Sequence, residues 1–158
     1  MPTPESELCC PPFDPTPWDH QEITWEEKRF LADHVRCFMH IPLNFGSVMV
    51  RNVAAIEAAG AKPERMIILA QDESLWRTKV LLEVTGDVPG ASLTTLSGTF
   101  LGKVFEGRYS EMRSWMQEMA SHVTAAGKQM KSLYTYYTTC PRCAKVRGKN
   151  PVVLLAEV

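Results

Sequence analysis

The chain has 158 residues, of which 45% are hydrophobic, and its formal net charge is -1. This size and composition predict a soluble globular protein with room for a sizeable core. The near balance of charge argues against a general nucleic-acid binder, which usually carries a basic excess. No apolar stretch is long enough to cross a bilayer. The first residues lack the basic and apolar regions of a signal peptide, so we expect a cytoplasmic protein without nucleic-acid or membrane partners. The oligomeric state stays open.

Residues 1–30 are predicted to form a proline-rich arm that packs on the domain. Proline recurs from Pro2 to Pro17, and it fixes φ and removes a backbone donor. The rings of Phe13 and Trp18 are expected to lie against the domain, since a free arm rarely carries such side chains. Residues 23–31 favour a strand, although Thr24 and the two glutamates after it could instead open a helical turn.

The first half of the domain then alternates strands and helices. A β-rich segment predicts a strand at residues 35–43, and an apolar periodicity predicts a helix at residues 47–59. Residues 66–70 and 76–85 read as two further strands separated by a polar turn. The predicted buried residues of the helix are Met49, Val53 and Ile56.

The second half repeats this order. Residues 91–105 favour a long strand, and Gly107 supplies a turn conformation that other residues adopt at a cost. Ser110 is the predicted N-cap of a helix that ends at Gly127. Two more strands are expected at residues 131–139 and 152–158. The apolar face of this helix comprises Met112, Trp115, Met116, Met119 and Val123.

The two halves share landmarks as well as element order. Each helix closes on Ala-Ala-Gly, ending at Gly60 and Gly127, and each half ends on a similar apolar strand. We therefore predict an α+β fold made of duplicated βαββ units, with a curved antiparallel sheet and two helices. The halves would span about residues 33–86 and 91–158 of a single domain at residues 31–158.

This order, with the entry Phe105-Glu106-Gly107-Arg108-Tyr109 before the second helix, resembles the GyrI-like (gyrase-inhibitor-like) domain that binds small-molecule effectors. The arm CPPFDPTPWD and the segments FMHIPLNFG and TTCPRCAKVRGKN are also similar to a group of small bacterial proteins, some described as hydrolases. The GyrI-like resemblance implies a pocket lined by aromatic rings around an acidic residue, suited to cationic or apolar planar ligands. Unlike the transcription regulators that carry this domain, the sequence shows no helix-turn-helix before it, so we expect a stand-alone binding protein.

Two acids are the main site candidates, since Glu83 and Glu157 each lie on an otherwise apolar strand. Alternation places Tyr134 and Tyr136 on one strand face, and Trp76 could join them in lining a pocket. We expect a small hydrophobic or cationic molecule to bind in a groove between the halves. The alternatives are that both glutamates face solvent, or that the protein is a hydrolase with Glu83, Glu157 or His40 as its catalytic base.

The motif Cys140-Pro141-Arg142-Cys143 is the sharpest local signal. Two thiolates at this spacing can share a tetrahedral zinc, which needs further ligands, and Cys10 is the predicted third. The pair could instead be redox-active, or two cysteines in a turn without metal or chemistry. Zinc is the one cofactor that the sequence suggests.

Overall fold

The protein is described by a computed structural model that covers residues 12–39, 41–139, 143, 145–146, 148 and 150–158. These residues include seven strands and two 14-residue α-helices. None of the described helices is long and apolar enough to cross a membrane. The strands are β1 (Gln21–Phe38), β2 (Ile41–Pro42), β3 (Ile68–Asp72), β4 (Arg77–Glu83), β5 (Ser92–Phe105), β6 (Ser132–Tyr137) and β7 (Val152–Glu157). The helices are α1 (Phe45–Ala58) and α2 (Met112–Ala125), the second preceded by a 3-10 turn at Tyr109–Glu111.

The chain divides into two compact units. The N-terminal unit is Thr24–Gly98, and the C-terminal unit is Thr99–Val158 together with the described residues of Met1–Ile23. Strands β1 and β5 are long enough to contribute to both, β1 changing unit after Ile23 and β5 after Gly98.

In the N-terminal unit, β4 pairs antiparallel with β1 on one side and with β3 on the other. The connection from β1 to β3 contains α1, which buries Val48, Asn52 and Ile56. The predicted face was Met49, Val53 and Ile56, so the buried face is shifted by one residue at its first two positions, and Asn52 occupies one of them. Its amide donates to the Val48 carbonyl and to the carboxylate of Asp33 on β1, so a polar residue is satisfied where hydrophobicity alone predicts none.

In the C-terminal unit, β7 pairs antiparallel with β5 on one side and with β6 on the other. Helix α2 connects β5 to β6 and covers one face of this sheet. The apolar face predicted for it is confirmed, because Trp115, Met119 and Val123 are buried and Met112 and Met116 are half-buried. The buried strand residues of this core are Leu101, Phe105, Val152, Leu154 and Ala156.

The two units therefore share one topology, in which the last strand lies between the first and the second. The register agrees as well, since Phe30 pairs with Glu83 and Phe100 pairs with Glu157. The α+β class and the repeated strand-helix-strand-strand order are as predicted. That the sheet is one curved surface stays a prediction.

Several boundaries differ from the predicted ones. Strand β1 is continuous from Gln21 to Phe38, so residues 21–30 belong to a strand and not to the arm. Ser110, the predicted N-cap of α2, does not cap this helix, whose N-cap is Glu111. Asn44 is the N-cap of α1, and α2 follows the 3-10 turn, whose Glu111 carboxylate accepts from the Arg108 backbone N–H at 3.0 Å. Gly60 and Gly127 follow the helices with φ of 65° and 72°, which explains the glycine at both ends.

Candidate functional site

In the N-terminal unit, the carboxylate of Glu83 is already occupied by groups of the protein. The Lys28 ammonium donates to its Oε1 at 3.1 Å, and the Ile67 backbone N–H donates to its Oε2 at 3.2 Å. Both charged side chains are largely shielded, with exposed fractions of 25% for Lys28 and 17% for Glu83. The same ammonium lies 5.4 Å from the centre of the Trp25 ring, within cation–π range. The Lys28 ammonium therefore lies between the Glu83 carboxylate and the Trp25 ring.

In the C-terminal unit, Glu157 lies on the sheet face opposite α2. The alternate residues Val152, Leu154 and Ala156 pack beneath the helix, so Glu157 points to the other side. Its partner across the β5–β7 pairing is Phe100, and its partner across the β6–β7 pairing is Ser132. No lysine, arginine or histidine among the described residues forms an ion pair with the half-buried Glu157.

Two tyrosines of β6 lie on the same sheet face as this acid, and Tyr134 is the nearer of them. Leu133 and Tyr137 pack against the α2 core, so Tyr134 and Tyr136 point away from it, and both are buried. The Phe100 and Tyr134 rings contact edge to face with centres 6.1 Å apart. Phe100 was not a predicted site residue. Its place opposite Glu157 depends on strand pairing, which local sequence does not reveal.

Burial raises the pKa of the Tyr134 hydroxyl, and the negative charge of Glu157 raises it further, against an opposing hydrogen bond with Ser132. Tyr134 is therefore protonated at neutral pH and available as a hydrogen-bond donor. The strand pairing is consistent with this effect, because Tyr134 lies opposite Leu155, two residues before Glu157 on the same face of β7. The face thus brings together the Glu157 carboxylate, the protonated Tyr134 hydroxyl and apolar ring surface.

The arm covers part of this same face, as the two aromatic residues predicted. Phe13 and Trp18 contact the Tyr136 ring with centres 6.4 and 5.2 Å away, respectively. The Asp19 carboxylate accepts from the Val104 backbone N–H at 3.1 Å. The Trp18 carbonyl oxygen lies only 2.5 Å from where a Cβ would stand on Gly102, so this close passage depends on glycine.

Other predicted site residues lie elsewhere or outside the described residues. Trp76 lies just before β4, is 55% exposed and contacts the Phe38 ring. Glu83 is the last residue of β4, about 20 Å from Trp76 along the strand. The structure therefore does not group Trp76 with Glu83. His40 lies outside the described residues, so its proposed role as a base stays a prediction.

The zinc prediction also concerns residues that the structure does not describe. Cys10 and Cys140 are both outside the described set, whereas Cys143 is within it and fully buried. Among the described residues alone, no three His, Cys, Asp or Glu side chains are arranged to hold a metal ion. A zinc site at Cys10, Cys140 and Cys143 stays a prediction, which metal analysis of protein purified without chelator would test.

Comparison with known proteins places the chain in a family. The family described as bacterial hydrolase matches residues 2–158, which is nearly the whole sequence. The chain belongs to this bacterial hydrolase family. No curated protein matches it. The family description does not state a substrate, and it does not identify which residues would act in hydrolysis.

Among solved structures, the chain is similar to SAV2435 bound to tetraphenylphosphonium. The TM-score is 0.53 at 13% sequence identity, and the match covers 89% of this chain and 93% of SAV2435. At this identity the likeness concerns the fold. It supports the predicted α+β architecture. In SAV2435 this fold holds tetraphenylphosphonium, which is a bulky apolar cation.

Proposed function

We propose that the protein binds a small hydrophobic cation on the C-terminal unit, with Glu157 as the counter-charge. The main support is that Glu157 is a half-buried carboxylate without an ion-pair partner among the described residues, although the Phe100 ring lies opposite it and the Tyr134 ring contacts Phe100. Removing a carboxylate from water without a cation is unfavourable. A ligand cation would relieve this cost and would gain cation–π attraction from the same rings.

The chemistry of the neighbours defines the ligand class. Phe100 and Tyr134 offer buried ring surface next to the acid, which suits a ligand whose charge is carried by apolar or aromatic groups. The tetraphenylphosphonium ion held by the similar fold of SAV2435 has this character. A strongly hydrated inorganic cation would gain little from these rings. We therefore infer selectivity for organic cations over metal ions at this acid.

The proposal is tested by titrating tetraphenylphosphonium into the protein by calorimetry. Glu157→Gln should weaken binding about tenfold or more, because one close charge pair of about 1.4 kcal/mol or more is lost. Glu118→Gln is the matched control. It removes one negative charge from the same unit at a side chain that is 56% exposed and paired with Lys103. Equal binding by wild type and Glu157→Gln would contradict the proposal.

A second measurement reports on the site directly. A cation bound at Glu157 should lower the pKa of Tyr134 towards its usual value, since the carboxylate charge that raises it would be offset. NMR titration of the tyrosine ring signals with and without the ligand measures this shift. Glu157→Gln should lower the same pKa without any ligand. A Tyr134 titration that the ligand leaves unchanged would place the binding elsewhere.

Hydrolysis is the second candidate function, and the family description favours it. Glu157 is the better base of the two glutamates, because Glu83 is held by the ammonium of Lys28. A carboxylate that activates water next to a phenol that donates to a developing oxyanion is a workable pair for hydrolysis. Tyr134 supplies that donor, since its raised pKa keeps it protonated.

Turnover of a panel of esters and strained electrophiles separates the two functions. If the protein is a hydrolase that uses this pair, Glu157→Gln should abolish turnover. Tyr134→Phe should lower kcat by about 100-fold or more while leaving ligand affinity within a few-fold, because the lost hydrogen bond acts on the transition state. A wild-type protein that binds tetraphenylphosphonium but turns over nothing in the panel would favour the binding function.

A further inference from the structure

The two units carry equivalent acids, and they differ in what faces each acid. Glu83 and Glu157 occupy the same register, each paired with a phenylalanine on the first strand of its unit. Two residues before Phe30 on β1 stands Lys28, which forms the ion pair with Glu83. Two residues before Phe100 on β5 stands Gly98, which has no side chain. From this position the N-terminal unit supplies the Lys28 ammonium to Glu83, whereas Gly98 supplies no cation to Glu157.

Lys28 has the surroundings that a bound alkylammonium would have. Its ammonium contacts the carboxylate at 3.1 Å and lies over the Trp25 indole at 5.4 Å, and Trp25 in turn contacts Phe30 with ring centres 6.0 Å apart. The exposed fraction of the Lys28 side chain is 25%, so its methylene stem is largely covered. A carboxylate, an aromatic face and covered space for an alkyl chain are the features that a site for an organic cation needs.

We propose that Lys28 is a built-in occupant of the acid site of the N-terminal unit, where it takes the place of a cationic ligand. Lys28 then determines specificity, because it closes Glu83 to external cations and leaves Glu157 as the open acid of the pair. The site that lies under Lys28 would accept a primary alkylammonium. This inference rests on the proposed function only for the role of Glu157, and it concerns a different acid.

Chemical rescue tests this assignment. Lys28→Ala removes three methylene groups and the ammonium, which are the atoms of n-propylammonium. The ion should therefore bind in the vacated space and raise the thermal midpoint of the variant. The expected rise is about 3–5 °C at ten times its dissociation constant. Sodium chloride at equal ionic strength and neutral propan-1-ol serve as the salt and shape controls, and neither should reproduce the rise.

Two variants decide whether the effect belongs to this site. Lys28→Met keeps the stem and removes the charge, so it should leave no room for the ion and show no rescue. Lys28→Ala combined with Glu83→Gln removes the counter-charge and should also lose the rescue. The inference is overturned if n-propylammonium leaves Lys28→Ala unchanged, or if it stabilises the Glu83→Gln double variant equally.

The same experiment works if Lys28→Ala does not fold by itself. In that case n-propylammonium should restore the folded far-ultraviolet circular dichroism signal, and absence of recovery counts against the inference. Rescue at Glu83 is measured without tetraphenylphosphonium and without altering Glu157. It can therefore succeed when the proposed function fails, and it can fail when tetraphenylphosphonium still binds at Glu157, so the two outcomes are distinguishable.

Discussion

The N-terminal and C-terminal units follow the same strand order, and they place a glutamate opposite a phenylalanine at the same step. The N-terminal unit surrounds its acid with groups of the chain, namely the Lys28 ammonium and the Ile67 N–H. The C-terminal unit places the Phe100 ring opposite its acid and the Tyr134 ring against Phe100, and no cation among the described residues pairs with this acid. The N-terminal acid thus belongs to an internal ion pair, whereas the C-terminal acid has the ring neighbours that we propose for a cation-binding site.

The remaining differences follow the same division. The register positions of Tyr134 and Tyr136 on β6 correspond to Leu69 and Gln71 on β3, so the tyrosines occur in one unit only. The core position of Met119 on α2 corresponds to Asn52 on α1, seven residues before the respective helix C-caps. The two units keep the same strand pairing although their side chains differ, because the pairing is made by backbone N–H and C=O groups. A binding site, by contrast, depends on the side chains.

The largest effect is expected from the helix cores. Met119→Ala should lower the free energy of unfolding by about 2–5 kcal/mol, because this fully buried side chain leaves a cavity. Asn52→Ala should cost less, about 1–3 kcal/mol, as it removes one amide that bonds to Asp33 and Val48. Urea unfolding measures both. A larger loss for Asn52→Ala would mean that polar contacts, and not packing, hold α1 in place.

The next effect concerns the arm, which passes over the C-terminal sheet. Gly102→Ala should cost about 1–3 kcal/mol or displace the arm, since the added methyl meets the Trp18 carbonyl. The equivalent position in the N-terminal unit is Ala32, two residues after Phe30. Ala32→Gly is the control and should cost about 0.5–1 kcal/mol from backbone entropy alone. Faster proteolysis within residues 12–20 of Gly102→Ala would report the displacement, and unchanged cleavage and stability would contradict it.

A smaller effect is expected from the ion pairs between strand and helix. Arg51 pairs with Asp33 at 2.7 Å in one unit, and Lys103 pairs with Glu118 at 2.9 Å in the other, with the charges exchanged between strand and helix. Double-mutant cycles should give about 0.2–1 kcal/mol for each pair, because one partner is well exposed in both. Burial would raise the pKa of Asp33, but hydrogen bonds from Asn52 and Arg51 lower it overall. A coupling near zero at the Asp33 pair would assign that lowering to Asn52.

The smallest effect is a pH dependence confined to the C-terminal unit. Burial lowers the pKa of His122, and the nearby positive charges of His20 and Lys103 lower it further against Asp19. The unfolded chain takes up this proton at about pH 6.5 and the folded chain only at lower pH, so stability falls as pH decreases below that value. His122→Gln should flatten the slope of unfolding free energy between pH 7 and 5. An unchanged slope would assign the dependence to other groups.

Much of the fold could be predicted from local patterns. The face of α2, the Ala-Ala-Gly helix ends and the strand spacing all reflect short-range periodicity and backbone conformation. The buried face of α1 could not be predicted in this way, because Asn52 is stabilised by a partner 19 residues away. The predicted cap Ser110 was also wrong, because Ser110 lies within the 3-10 turn and α2 begins only after Glu111.

The candidate site was predictable in part. Glu157, Tyr134 and Tyr136 stand out as polar or aromatic residues on apolar strands, and alternation places the two tyrosines together. Phe100 and Lys28 were missed, because both become relevant only through pairing with a distant strand. Trp76 was predicted to line the pocket because of its large ring, but it lies just before the first residue of β4, whereas Glu83 is the last residue of that strand.

The sequence by itself determined the α+β class, the repeated element order and the presence of two acids on apolar strands. These features depend on residue spacing, which the chain carries locally. Only the tertiary structure decided that each acid faces a phenylalanine and that, among the described residues, a lysine pairs with Glu83 but not with Glu157. The reason is physical, because an ion pair depends on distances of a few ångströms between residues 55 positions apart, and such distances exist only after the strands have paired.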